Sequence, residues 1–284
     1  YPFRLTTKIL KGEAITITSS RGESVKDISS SVEIVSVKKA EIRGIRDISE
    51  VLREMEGVTI ATSTTGEQRV SVRGSNPNEV SVYIDGIKMN RSLDNEANLA
   101  LIDLNDLEHV EVVRGSASIL FGAGNFGGVV LMKSKKLDHN YFHVSRSIGI
   151  TNINDQDLST AVSLKAGPMS FGGRFSGKSR LFDGQTQYTT LFKNFATRLE
   201  TKKVIGIIRV IQQDNTIEFS SGGIRSADKM DSHQFQVKGD LPYVKEFNFQ
   251  WGRRNWHWND QFFSNVYRIL EDTSSTVRLS KTLK

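Results

Sequence analysis

The stretch Val80-Ser81-Val82-Tyr83-Ile84-Asp85-Gly86-Ile87-Lys88-Met89 decides how the first half of the chain is read. Val80, Val82 and Ile84 alternate with Ser81 and Tyr83, Asp85-Gly86 interrupts the run, and Ile87 and Met89 resume the alternation. A period of two puts one set of side chains on one face of a strand. Asp-Gly between two such runs fits a type I′ turn, which needs positive φ at both central residues. Working outward, Val70 and Val72 form a short strand ahead of the hairpin, Val110, Val112 and Val113 begin another behind it, and Val129 to Met132 form one more. Ile48, Val51, Leu52 and Met55 fall at the i, i+3, i+4, i+7 spacing of a helix over 48–55, with Asp47 or Ser49 to cap it and Gly57 to end it. One helix among short strands with Gly-marked turns makes a small α+β domain.

The sequence changes character near Lys136. Candidate strands then recur at about 141–150, 158–166, 169–178, 186–199, 201–213, 232–241, 246–258 and 274–282, with Phe235/Val237 and Phe247/Phe249/Trp251 alternating most cleanly. Turn signals such as Asp183-Gly184 and Gly222-Gly223 separate them, and no helix intervenes. Strands at this spacing predict an antiparallel sandwich or barrel.

Composition excludes several classes. The chain has 284 residues, 37% hydrophobic and 25% charged, which excludes disorder. No apolar run approaches the ~20 residues of a membrane-spanning helix; that leaves a membrane β-barrel open, because barrel strands give weak hydropathy signals. There are no cysteines, so thiolate metal sites and cysteine nucleophiles are out. The net charge of +6 reads as a mixed solvated surface. Its tightest cluster, Lys133, Lys135 and Lys136, lacks the interleaved aromatics of a nucleic-acid platform. The five histidines show no metal-ligand spacing, and Gly115-Ser116-Ala117-Ser118 is no nucleophile elbow. Gly122-Ala123-Gly124-Asn125-Phe126-Gly127 matches G-x-G-x-x-G literally, but the β-branched run after it reads as a strand where a dinucleotide site needs a helix. No enzyme, metal site or cofactor is expected.

Three segments, in order, resemble the plug of TonB-dependent outer-membrane receptors. They are Leu52-Arg53-Glu54-Met55-Glu56-Gly57-Val58-Thr59-Ile60; Val70-Ser71-Val72-Arg73-Gly74 continuing to Tyr83-Ile84-Asp85-Gly86-Ile87; and Ile102 through Val110-Glu111-Val112-Val113-Arg114-Gly115 to Gly127-Gly128-Val129. Glu56 and Ser116 stand where the family usually has Pro, and Phe121 where it has Tyr. The resemblance implies an N-terminal segment over 1–39, a plug over 40–136 and part of an antiparallel transmembrane β-barrel over 137–284. About eight strands are too few to enclose a plug, since such receptors use 22.

The same resemblance implies roles for individual residues. Glu13, Ala14, Ile15, Thr16, Ile17 and Thr18 alternate apolar and polar and resemble the TonB box, a mobile peptide that adds a strand to the periplasmic domain of TonB; an ordinary first strand would look alike. Arg73 and Arg114, with Glu111, are expected at the plug–barrel contact. Three loops are expected to face the cargo, through Thr62, Thr64, Thr65, Glu67 and Gln68, through Asn76 and Asn78, and through Asn90, Arg91, Asp94 and Asn95. The expected function is binding and TonB-energised import of a scarce small molecule, such as a ferric siderophore, across the bacterial outer membrane. A truncated binding or signalling module without transport is the alternative.

Overall fold

Backbone sterics at one dipeptide organise the N-terminal domain: φ is +47° at Asp85 and +87° at Gly86, the left-handed pair that a type I′ turn requires. The computed structural model describes residues 32–45, 47–63, 67–91, 94–115, 125–135, 140–148, 153–183, 186–219, 225–240, 247–262 and 266–281. Glu13–Thr18, Thr64, Thr65 and Gly122–Gly124 lie outside the described residues. In chain order the domain comprises β1 (Val32–Ser36), α1 (Val37–Ile42), α2 (Ile48–Arg53), β2 (Val58–Thr62), β3 (Gln68–Val72), β4 (Val80–Ile84), β5 (Ile87–Lys88), β6 (Leu107–Val113) and β7 (Gly128–Ser134). Short 3-10 turns occupy Pro77–Glu79, Leu99–Leu101 and Leu104–Asp106.

Five strands form one sheet in the order β1-β6-β7-β4-β5, and β2 pairs with β3 apart from it. β4 and β7 run parallel, from Val80 opposite Gly128 to Ile84 opposite Met132. These central strands are near-continuously apolar and buried, as a sheet covered on both faces must be. Val37 and Ala40 of α1, Ile48, Val51 and Leu52 of α2, and Val70 and Val72 of β3 share one apolar core with Val80, Val82, Val110 and Val112. Asp47 caps α2 through its carboxylate, which accepts from the Ser49 backbone N–H at 2.8 Å. Gly127 is sterically required, because a Cβ there would meet Ser75 Oγ at 2.2 Å. A strand, β7, follows it where a dinucleotide site would need a helix. The sheet begins with β1, ahead of residue 40 where the sequence reading opened the domain.

The remainder is one antiparallel sheet of eight strands in sequence order, with β8 and β15 at its edges: β8 (Tyr141–Ile148), β9 (Ile153–Ala166), β10 (Met169–Asp183), β11 (Thr186–Glu200), β12 (Val204–Phe219), β13 (Arg225–Gly239), β14 (Phe247–Phe262) and β15 (Val266–Lys281). It forms an unclosed barrel wall. Its register makes rows. Tyr141, Ala161, Arg174, Ala196, Arg209, Gln234 and Gly252 stand opposite one another in turn along one row of the inner face. One residue along, Val162, Gly173, Thr197, Ile208, Phe235 and Trp251 form a row of the outer face. Arg174 and Arg209 are 2% and 5% exposed, whereas Val162 and Ile208 are 52% and 51% exposed. The wall is thus inside out relative to a sheet folded in water.

Candidate functional site

The inner face of the wall is seated against the N-terminal domain, and two aspartates of that domain take most of the polar contacts. Asp85, fixed by its turn, ion-pairs with Arg209 of β12 and lies 3.2 Å from Lys133 Nζ. It also accepts from the Ser134 backbone N–H at 3.2 Å, and its carbonyl accepts from Gln234 Nε2 at 3.2 Å. Burial alone would raise the pKa of this carboxyl, but Arg209 and Lys133 outweigh it and hold Asp85 below the usual carboxylate range.

Asp106 closes the 3-10 turn Leu104–Asp106 and is the more heavily engaged. Its carboxylate accepts from Ser176 Oγ, from Asn194 Nδ2 at 3.2 Å and from Tyr141 OH at 3.2 Å, with Arg174 Nε 3.6 Å away. Arg174 Nη1 also donates to the carbonyls of Asp106 and Lys135, at 3.3 and 3.1 Å. Asp103, capping the same turn through the Asn105 N–H, has its pKa raised to about 6 by burial and by the adjacent Asp106, with Asp157 of the wall adding to it. Arg254 donates to the carbonyls of Lys88 and Asn90, at 3.2 and 3.1 Å. Arg180 reaches Asp155 of β9 at 2.7 Å and the capping Asp47 at 3.7 Å. Between these polar contacts Phe192, Ile211, Met230 and Trp256 form an apolar pad continuous with Leu99 and the domain core.

The residues expected from sequence at this contact make their described contacts within the N-terminal domain. Arg114 is buried and ion-paired with Glu33 of β1, and Glu111 lies 2.9 Å from His109 Nε2. Arg73 has φ +53°, an exposed side chain and a backbone N–H donated to the Gly57 carbonyl at 2.7 Å. The contact with the described wall strands runs through acids of the N-terminal domain and arginines of the wall. A signal for it was present in β10, where Arg174, Ser176, Lys178 and Arg180 keep polar and cationic groups at a period of two.

The residues assigned to cargo-facing loops are brought together in part. Glu67 is buried and pairs with Arg69 at 2.9 Å and Arg91 at 3.1 Å; Arg91 also pairs with Asp94. Asn90 is buried and pins β4, accepting from the Val82 N–H and donating to the Val80 carbonyl, each at 2.8 Å. Asn95, with φ +56°, accepts from Lys88 Nζ at 2.7 Å and donates to the Asn78 carbonyl. The Gln68 N–H donates to Asn98 Oδ1 at 3.0 Å, and the Asn76 N–H to Glu79 Oε2 at 2.9 Å. Thr62 is exposed, with Arg53 Nη2 3.4 Å from its hydroxyl.

Residues 24–129 match the family model described as TonB-dependent Receptor Plug Domain. This match identifies the N-terminal domain as a plug domain of the TonB-dependent receptor kind. It is 28% identical over 120 residues to the vitamin B12 transporter BtuB of Photobacterium profundum, an alignment covering 42% of this chain and 20% of that protein. The chain therefore spans about a fifth of that relative's length. Among solved structures it is similar to the siderophore receptor PirA of Acinetobacter baumannii, with a TM-score of 0.66 and 17% identity over 88% of this chain and 44% of that one. It is also similar to FpvA of P. aeruginosa bound to heterologous pyoverdines, with a TM-score of 0.69 and 16% identity over 92% of this chain and 41% of that one. These structures share the fold: a plug followed by antiparallel barrel strands. The docked domain is the plug, and β8–β15 share their fold with barrel strands of these receptors.

Proposed function

We propose that this receptor binds a scarce small-molecule nutrient at the outer face of the bacterial outer membrane and imports it with energy delivered through TonB. The observation that carries the reading is the inside-out wall. Arginines on its inner face are satisfied by plug carboxylates, while Val162, Ile208, Phe235 and Trp251 stand exposed on its outer face. An exposed apolar band backing a polar lumen suits lipid outside and a removable plug inside. In this reading residues 1–39 carry the TonB box at Glu13–Thr18, 40–136 are the plug and 137–284 the barrel segment. The loops holding Glu67, Arg91 and Asp94 face the cargo, and Arg73, Arg114 and Glu111 meet barrel groups beyond the strands described. The cargo is a ferric chelate, as the siderophore receptors of the same fold suggest; a corrinoid is the second reading, favoured by the BtuB alignment.

The test exploits the main-chain nature of strand addition. Proline has no N–H to donate, so Ile15→Pro with Ile17→Pro breaks any pairing with TonB while leaving the plug and barrel unchanged. The expected result is a wild-type outer-membrane level and wild-type surface binding of ferric chelates or cyanocobalamin, with uptake reduced to that of cells lacking TonB. Uptake retained in the double-proline variant removes the TonB-coupled reading.

A further inference from the structure

The inner faces of β10, β12 and β14 carry Arg174, Lys178, Arg180, Arg209 and Arg254, and no described inward side chain of these three strands is a carboxylate. The cations climb the wall by rows. Arg174 and Arg209 share the row spaced by Ala161, Ala196 and Gly252. Arg254 lies in the next, with Ser176, Asn194 and Ser232. Lys178 follows, opposite Asp157 and Phe192, and then Arg180, opposite Asp155 and Thr190. With rows ~6.8 Å apart along the strands, the track rises ~20 Å through the lumen.

In the closed receptor the plug supplies anionic oxygens to this track. Asp85 meets Arg209, Asp106 meets Arg174, Asp47 approaches Arg180, and the carbonyls of Lys88 and Asn90 take Arg254. The fit leaves donors over: Nε of Arg174 and of Arg209 are buried without a hydrogen-bond acceptor. A guanidinium is a planar fork built for paired oxygens, and one stranded without a counter-charge inside protein is strongly destabilised. The alanines and glycine of the first row leave the arginines lateral room that larger neighbours would fill.

We propose that this cationic track is an anion-binding site of the lumen wall, held by plug oxygens at rest and taken over by an oxyanion-bearing cargo as the plug moves. Resting on the transport reading above, it assigns the cargo a negative charge along its path. Exchange of one carboxylate for another keeps each guanidinium paired throughout, so neither displacement of the plug nor its return strands a buried charge.

The test uses the intact, detergent-solubilised receptor and citrate as the probe. Neutralising the plug acids with Asp85→Asn and Asp106→Asn leaves Arg174 and Arg209 seeking an anion. The unfolding midpoint of this variant is expected to rise by several degrees with the logarithm of citrate concentration, the signature of a ligand bound only by the folded state. Wild-type protein is expected to show no such rise, and adding Arg174→Gln and Arg209→Gln to the neutralised plug should abolish it. A citrate response that is absent, or that survives loss of both arginines, overturns the proposal. Should the double variant fail to assemble, Asp85→Asn alone, with and without Arg209→Gln, carries the same comparison. No energised cell is involved, so failure here leaves TonB-coupled transport standing, and failure of the proline variant leaves this site standing.

Discussion

Asp103 and Asp106 stand at opposite ends of one 3-10 turn, and the wall treats them differently. Asp106 is surrounded by donors from β8, β10 and β11, whereas Asp103 Oδ2 is buried without one. Burial, then the charge of Asp106, raise the Asp103 carboxyl to about 6 from its ordinary 3.8. A carboxyl whose folded-state pKa is raised favours the folded state in its protonated form. Its contribution is therefore complete below pH ~3.8 and lost as pH rises through ~6. Asp103→Asn keeps the capping oxygen and removes the charge. It is expected to flatten the pH dependence of plug unfolding between pH 4 and 7 and to stabilise the plug at pH 7, read by urea titration at each pH. Asp85 works with the opposite sign: its lowered pKa stabilises above the ordinary carboxylate range, and that contribution is lost as pH falls below the range toward the lowered value.

At the scale of elements, the pad of Phe192, Ile211, Met230 and Trp256 is what the polar rows surround. It is an apolar patch among polar side chains, and it forms one cluster with Leu99 of the plug. Phe192→Ala is expected to remove about 3–5 kcal/mol. The loss should fall on plug seating, with faster amide exchange across 97–107, while exchange in the wall strands away from the pad stays unchanged. Elements differ in how far the sequence declares them. The Asp85-Gly86 hairpin was legible because its turn demands a backbone conformation few dipeptides supply, and α2 because it has both a cap and an unbroken apolar stripe. β1, α1 and β2 were not, being five or six residues each and ordered by their partners more than by their own pattern. Wall strands were found but cut short: β9 begins at Ile153 and β13 at Arg225, against 158 and 232 by alternation. Only ~9–11 residues of a barrel strand cross hydrocarbon, and beyond them both faces are wet and the alternation has no cause. The partners of the wall arginines were illegible for a different reason: pairing across the lumen depends on how two domains dock, which no local pattern encodes.

The whole molecule is defined by which way its wall faces. Ile208 and Arg209 are neighbours in β12 with opposite fates, one exposed on the outer row and one buried on the inner. Ile208→Arg is expected to cost ~2–4 kcal/mol of barrel stability in a bilayer, read by urea titration in lipid vesicles, while Thr197→Ser in the same row should be silent. If lipid does not cover that row, the arginine will be tolerated. The order of the chain adds a kinetic consequence. The described plug residues all precede the wall, which reaches back to them over growing distances, from 35 residues for Tyr141 with Asp106 to 166 for Arg254 with Lys88. Closure entropy grows only with the logarithm of that separation, so the last contact costs roughly 1.4 kcal/mol more than the first. Each wall strand meanwhile zips onto its immediate predecessor, a sequence-local step. The plug is then shaped as a mandrel: it precedes the wall in sequence and offers each wall strand in contact with it a surface against which to gauge its register.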